Sequence, residues 1–123
     1  EPVYLAWYAL AHEFDGLLRW SYNSWPCDPI RDARYSGFTA GDTFIVYPEG
    51  RSAISFERLR EGIQDWEKAT QLRRELAQSG TAEAQARLEE LNAAIAACAP
   101  RDEFDGWQEQ LNAAKQLLNR PVR

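Results

Sequence analysis

At 123 residues, with 45% hydrophobic and 12% aromatic side chains, the chain is long enough to bury one core and too apolar for a disordered tail. A net charge of -5 and a pI near 4.9 exclude the basic stripe that phosphate-backbone binding needs, so nucleic acid is not an expected partner. No run approaches the roughly 20 apolar residues of a bilayer span, so no membrane partner is expected either.

Val3 to Phe14 is apolar on nearly every side, and Pro2 suits a first helical position, so a buried helix is predicted over 3–14. There is no starting Met, and Glu1-Pro2-Val3 already reads as a helix opening, as in a chain from which something upstream has been removed. Asp15-Gly16 ends the helix, because glycine tolerates the positive φ of a tight turn. Leu17 to Tyr22 is short and aromatic and reads as a strand, with Leu18, Trp20 and Tyr22 on one face and Leu17, Arg19 and Ser21 on the other. Residues 23–42 form a polar connection with one helical turn near Asp28 to Tyr35. Thr43 to Tyr47 is the second strand, bounded by Gly41-Asp42 and Pro48-Glu49-Gly50. A link this long favours parallel over hairpin pairing.

From Ser55 onward only helical periodicity remains. Ser55 is the expected cap of a helix over 55–78, whose apolar positions Phe56, Leu59, Ile63, Trp66, Ala69, Leu72 and Leu76 step by three and four. Ser79-Gly80-Thr81 breaks it and caps a helix over 82–98. Pro100 to Asp102 breaks again, and Phe104, Trp107, Leu111, Ala114 and Leu118 mark a helix over 103–119.

Little of this carries obvious catalysis. The single histidine, His12, sits near the end of the first helix and reads as structural. Cys27 and Cys98 fit no metal-ligand spacing and read as unpaired thiols, with a single disulfide between them left open if the chain is exported, and no phosphate-loop pattern occurs; no cofactor or metal is expected. The arginine-rich basic set suits carboxylate pairing, although genome composition explains such a bias equally well. Asp28, Asp32, Asp42 and Glu49 flank the strand ends. Trp20, Tyr22, Trp25, Tyr35 and Tyr47 cluster there too, beside Asn23 and Ser24. Flat aromatic faces next to hydrogen-bonding amides suit a sugar ring; core packing suits them equally well.

Three ordered blocks, Gly16-Leu-Leu-Arg-Trp-Ser-Tyr-Asn-Ser-Trp25, Gly41-Asp-Thr-Phe-Ile-Val-Tyr-Pro48 and Leu59-Arg-Glu-Gly-Ile-Gln-Asp-Trp-Glu67, resemble the C-terminal part of the glycoside hydrolase family 123 type catalytic domain, a bacterial group. The resemblance covers roughly residues 1–75. It implies an α+β, mainly helical chain: the last two strands and helices of a (β/α)8 barrel over 1–78, followed by a helical extension over 79–123. Family members resemble β-N-acetylgalactosaminidases with substrate assistance, in which an Asp orients the attacking 2-acetamido group and a neighbouring Glu is the general acid. That pair belongs to an earlier strand, and Asp102-Glu103 here reads as a helix cap. The implied role is therefore to supply subsite walls for a carbohydrate of the N-acetylhexosaminide class through Trp20, Tyr22, Asn23, Trp25 and Tyr47, with no catalytic residue. Uncovered barrel surfaces also imply self-association. The competing reading is a stand-alone helical interaction module without catalysis.

Overall fold

Among the described residues, periodicity of three and four becomes α-helix where it was read, and the helices carry the fold. The computed structural model describes residues 2–99 and 106–121. Its helices are α1 (Pro2–Ala11), α2 (Ile54–Ser79), α3 (Ala82–Ala96) and α4 (Trp107–Asn119). The α2–α3 turn forms as its residues dictate: Gly80 takes the left-handed conformation at φ 66°, and Thr81 Oγ1 accepts the Ala84 N–H at 3.1 Å. The cap of α2 is not Ser55 but Ala53, which offers no side-chain bond; Ser52 Oγ reaches forward to the Glu57 carboxylate instead. The predicted opening of the last helix, with Asp102, Glu103 and Phe104, lies outside the described residues.

One apolar cluster joins all four helices: Val3, Trp7 and Leu10 from α1, Ala69, Leu72 and Leu76 from α2, Leu91 and Ile95 from α3, and Leu111, Ala114 and Leu118 from α4. Trp7 is at its centre, 1% exposed, and its indole N–H is satisfied by Asp65 Oδ2 at 3.1 Å. Two contacts tie α1 to the end of α3: Tyr4 Oη donates to the Cys98 carbonyl at 2.9 Å, and His12 Nε2 lies 3.1 Å from the Ala99 carbonyl. Only the C-terminal half of the α2 stripe is fully buried. Phe56, Leu59 and Trp66 are half-buried and Ile63 is 47% exposed.

The strands are corrected. Among the described residues there is no sheet, only two isolated bridges, Asn23 with Phe44 and Val46 with Ser52, and both are antiparallel. Residues 17–22 have the composition of a strand but no neighbour, and β-propensity is realised only through cross-strand packing. Parallel pairing fails because the long connection folds back by turns. Asp32 N–H bonds the Asp28 carbonyl at 2.9 Å and Gly41 N–H the Ala33 carbonyl at 2.9 Å, which returns the chain antiparallel to its outgoing course. Residues 46–52 close as a hairpin around a 3-10 turn at Pro48–Gly50, with Tyr47 N–H on the Arg51 carbonyl at 2.9 Å.

Candidate functional site

The aromatic–polar block is held by a small hydrogen-bond knot. Ile45 N–H bonds the Tyr22 carbonyl at 2.9 Å, and Ser24 N–H bonds the Thr43 carbonyl at 3.0 Å. Two buried hydroxyls reinforce it: Ser21 Oγ donates to the Thr43 carbonyl and Thr43 Oγ1 to the Ser24 carbonyl, both at 2.6 Å. Trp25 Nε1 donates to the Val46 carbonyl at 2.7 Å, so its ring is a strut across the knot. Tyr47 is half-buried and packs on Phe44, ring centroids 5.4 Å apart.

Upstream of the knot, alternation survives without a sheet. Leu18, Trp20 and Tyr22 are 92%, 54% and 53% exposed, whereas Arg19 and Ser21 turn inward. The Arg19 guanidinium donates through Nη2 to both the carboxylate and the backbone carbonyl of Asp42, and so pins the segment to the Gly41-Asp42 turn. Trp20 stacks on Phe38, centroids 4.9 Å apart and 29° between planes, and the Arg19 charge sits 6.0 Å from the indole centroid.

An open groove of about 570 Å³ separates this segment from α1 and α2; Leu17, Leu18, Arg19, Trp20 and Asp42 line one side, and Pro2, Leu5, Ser55 and Leu59 the other. It continues, through the shared Leu17, Arg19 and Leu59, into an apolar recess of about 190 Å³ with Ile63 and Trp66. Trp20 lines the groove. Tyr22, Asn23, Trp25 and Tyr47 do not; Asn23 is exposed at its bridge to Phe44, and Trp25 and Tyr47 stand with the knot. Tyr35 is exposed nearby without joining them.

The carboxylates of the block are all taken by arginines. Asp28 pairs with Arg31 at 3.7 Å, Glu49 with Arg51 at 2.8 Å and Asp42 with Arg19. Asp32 accepts a two-point fork from Arg34 at 2.8 and 2.6 Å, and these bonds pull its pKa down to about 2. A general acid needs a carboxyl that keeps its proton near neutrality, the opposite of what Asp32 shows. Among the described residues no group of three or more His, Cys, Asp or Glu is placed to hold a metal, and no helix is long and apolar enough to cross a membrane.

The Gly-Ile-Gln-Asp-Trp-Glu turn of α2 has a different role from the loops. Gly62 lies where α1 crosses: a Cβ there would meet the Val3 carbonyl and the Ala6 Cβ, each at 3.0 Å. Asp65 receives Trp7 Nε1 and, at 3.0 Å, the Lys115 ammonium, which also pairs with Glu61. The sequence marks Asp65 only as a member of the Leu59–Glu67 block and gives it no partner, since Trp7 and Lys115 stand 58 and 50 positions away and no local spacing announces them.

No curated protein matches the chain. The family described as glycoside hydrolase 123, catalytic domain, matches residues 1–72, more than half the chain. That stretch contains the knot, the Trp20–Phe38 stack, the groove and the Gly62–Glu67 turn, and the chain belongs to the glycoside hydrolase 123 catalytic-domain family.

Proposed function

We propose that this chain is the C-terminal part of a glycosidase barrel and furnishes one wall of a sugar subsite for a β-linked N-acetylhexosaminide. Family membership supports a glycoside hydrolase-related function and carbohydrate binding in general. The observation that carries the finer reading is the Trp20 indole. It is half-exposed, backed by Phe38, bordered by the Arg19–Asp42 pair and set at the rim of the groove. A flat apolar face beside fixed polar groups matches the C–H face and hydroxyl edge of a pyranose. Tyr22, Asn23, Trp25 and Tyr47 extend this wall along the knot, with residues 1–78 as the barrel part and 79–123 as the helical extension.

In the substrate-assisted reaction, the 2-acetamido oxygen attacks the anomeric carbon as the glycosidic C–O bond breaks, and an acid protonates the departing oxygen. Water then opens the cyclised intermediate. The acids of the block are engaged by arginines, so the Asp–Glu pair comes from another strand and this chain positions sugar without moving protons.

Calorimetry with N-acetylgalactosamine tests the reading. Trp20→Ala is expected to weaken binding at least several-fold, because stacking on an aromatic face contributes on the order of 1 kcal/mol. The melting temperature should stay within a few degrees, since the ring lies outside the core. Unchanged affinity would remove Trp20 from the site.

The second reading, a non-catalytic helical interaction module, is favoured by the apolar cluster that spans all four helices. The gene separates the two: coding sequence upstream of Glu1 that bears strands and an Asp–Glu pair supports the enzyme. Under the barrel reading the exposed apolar residues beside the groove also favour self-association.

A further inference from the structure

The backbone of residues 15–21 differs from everything around it. Residues 22–24 are paired with 43–45, and the chain before Phe14 is helix or helix-terminal turn. Among the described residues, no backbone–backbone hydrogen bond involves residues 15–21. The stretch is non-helical, rich in strand-forming side chains, and carries Leu17 and the 92%-exposed Leu18. An open run of N–H and C=O groups flanked by apolar side chains is a template for another strand.

We infer that this edge docks against the same edge of a second copy of the chain, antiparallel and centred on Leu17. Charge selects that occupant and that register. Asp15 and Arg19 stand two residues to either side of Leu17, and once the segment is drawn out as a strand the period of two sets all three side chains on one face. A two-fold axis at Leu17 therefore sets Asp15 of each copy opposite Arg19 of the other, and makes the ion pair twice. Opposite charges directly across an antiparallel pair are favourable, whereas a shift by one residue sets Asp15 against Leu18 or Trp20 and loses both pairs. Arg19 has the capacity: its hydrogen bonds to Asp42 use Nη2, and a guanidinium carries three further N–H donors on its other nitrogens. Because the two-fold covers both edges at once, the assembly closes as a dimer and does not propagate into a fibre. The inference rests on the self-association part of the proposed reading; it shares Arg19 with the sugar wall but does not use the Trp20 face.

Cysteine cross-linking reads the register directly. In a Cys27→Ser background, Leu17→Cys places its thiol opposite itself across the axis, at an antiparallel Cα separation of about 4.5–5.5 Å, inside the range a disulfide spans. Leu18→Cys sits diagonal to its own copy, beyond the roughly 7 Å limit. The buried Cys98 is a silent background thiol. Mild oxidation is expected to yield covalent dimer at least tenfold faster with Leu17→Cys than with Leu18→Cys. Sedimentation equilibrium of the parent chain should show a dimer that Leu18→Pro weakens at least tenfold; the substitution removes an edge N–H that bonds no backbone group in the monomer. A chain that stays monomeric at roughly 100 μM would overturn the inference and leave the edge to a strand from a different polypeptide. Equal cross-linking at both positions would overturn it too. Sugar affinity is read independently through Trp20→Ala, so either proposal can fail alone.

Discussion

Gly62 shows how one residue sets the distance between two elements. With the Val3 carbonyl and Ala6 Cβ each 3.0 Å from where a Cβ would stand, α1 rests directly on the α2 backbone. Gly62→Ala gains about 1 kcal/mol of helix propensity but overpacks a backbone contact, which costs roughly 1–3 kcal/mol. The account expects a net loss of about 1 kcal/mol in urea unfolding, and a variant as stable as the parent would show that α1 can lift without cost. The two thiols make a second contrast at this scale. Burial pushes the Cys98 pKa up to about 11, whereas Cys27 is exposed on its loop. The thiolate is the reactive form, so iodoacetamide at pH 8 should label Cys27 and leave Cys98 unmodified until the chain unfolds. Prompt labelling of both would contradict the burial of Cys98 in the core.

Between elements, Lys115 ties α4 to α2. Its ammonium reaches Glu61 and Asp65, and Asp65 in turn holds the Trp7 indole. The bond from Lys115, then that from Arg58, lowers the Glu61 pKa. For Lys115 burial is the largest single influence and acts downward, but the bonds and charges of Glu61 and Asp65 together raise its pKa. The signs follow. Glu61 contributes stability above the ordinary carboxylate range, and that contribution is lost as pH falls through its depressed folded value. Lys115 contributes below the ordinary lysine value and loses it as pH rises through its raised one. Lys115→Met should therefore cost about 1–2 kcal/mol near neutrality, between the exposed and buried limits for ion pairs. It should also flatten the fall in melting temperature below about pH 4 and above about pH 10.5. A pH profile parallel to that of the parent would deny the tie. These helices were legible because a stripe such as Leu72, Leu76 and Ala69 states its period locally, and Gly80-Thr81 states its turn. The Leu17–Tyr22 strand was not, because a strand is completed by its neighbour and this one has none among the described residues. Its alternation was still readable, in the exposed Leu18, Trp20 and Tyr22 against the inward Arg19 and Ser21. Trp25 was read as a subsite wall, and its N–H on the Val46 carbonyl also makes it part of the knot, a partner 21 positions away that no local spacing announces.

At the scale of the molecule, a four-helix core leaves one surface unfinished. The groove, the Leu17–Leu18 edge and the exposed Ile63 lie on the N-terminal half of α2 and beside it, within the residues that match the family. The helices that follow, α3 and α4, supply Leu91, Ile95, Leu111 and Leu118 to the core instead. This division explains why the family was legible in three short blocks while the geometry of the groove was not: two of the blocks hold the knot together and the third seats α1 at Gly62, whereas the relation of Trp20 to Phe38 across the connection is a tertiary fact. The central claim, that this block faces carbohydrate, is met most directly by a two-dimensional NMR titration of the isotope-labelled chain with N-acetylgalactosamine. The account predicts saturable shifts of the Trp20 indole N–H and of the Tyr22, Asn23 and Tyr47 amides, with α3 and α4 unmoved. An absence of saturable shifts, or shifts confined to α3 and α4, would contradict it.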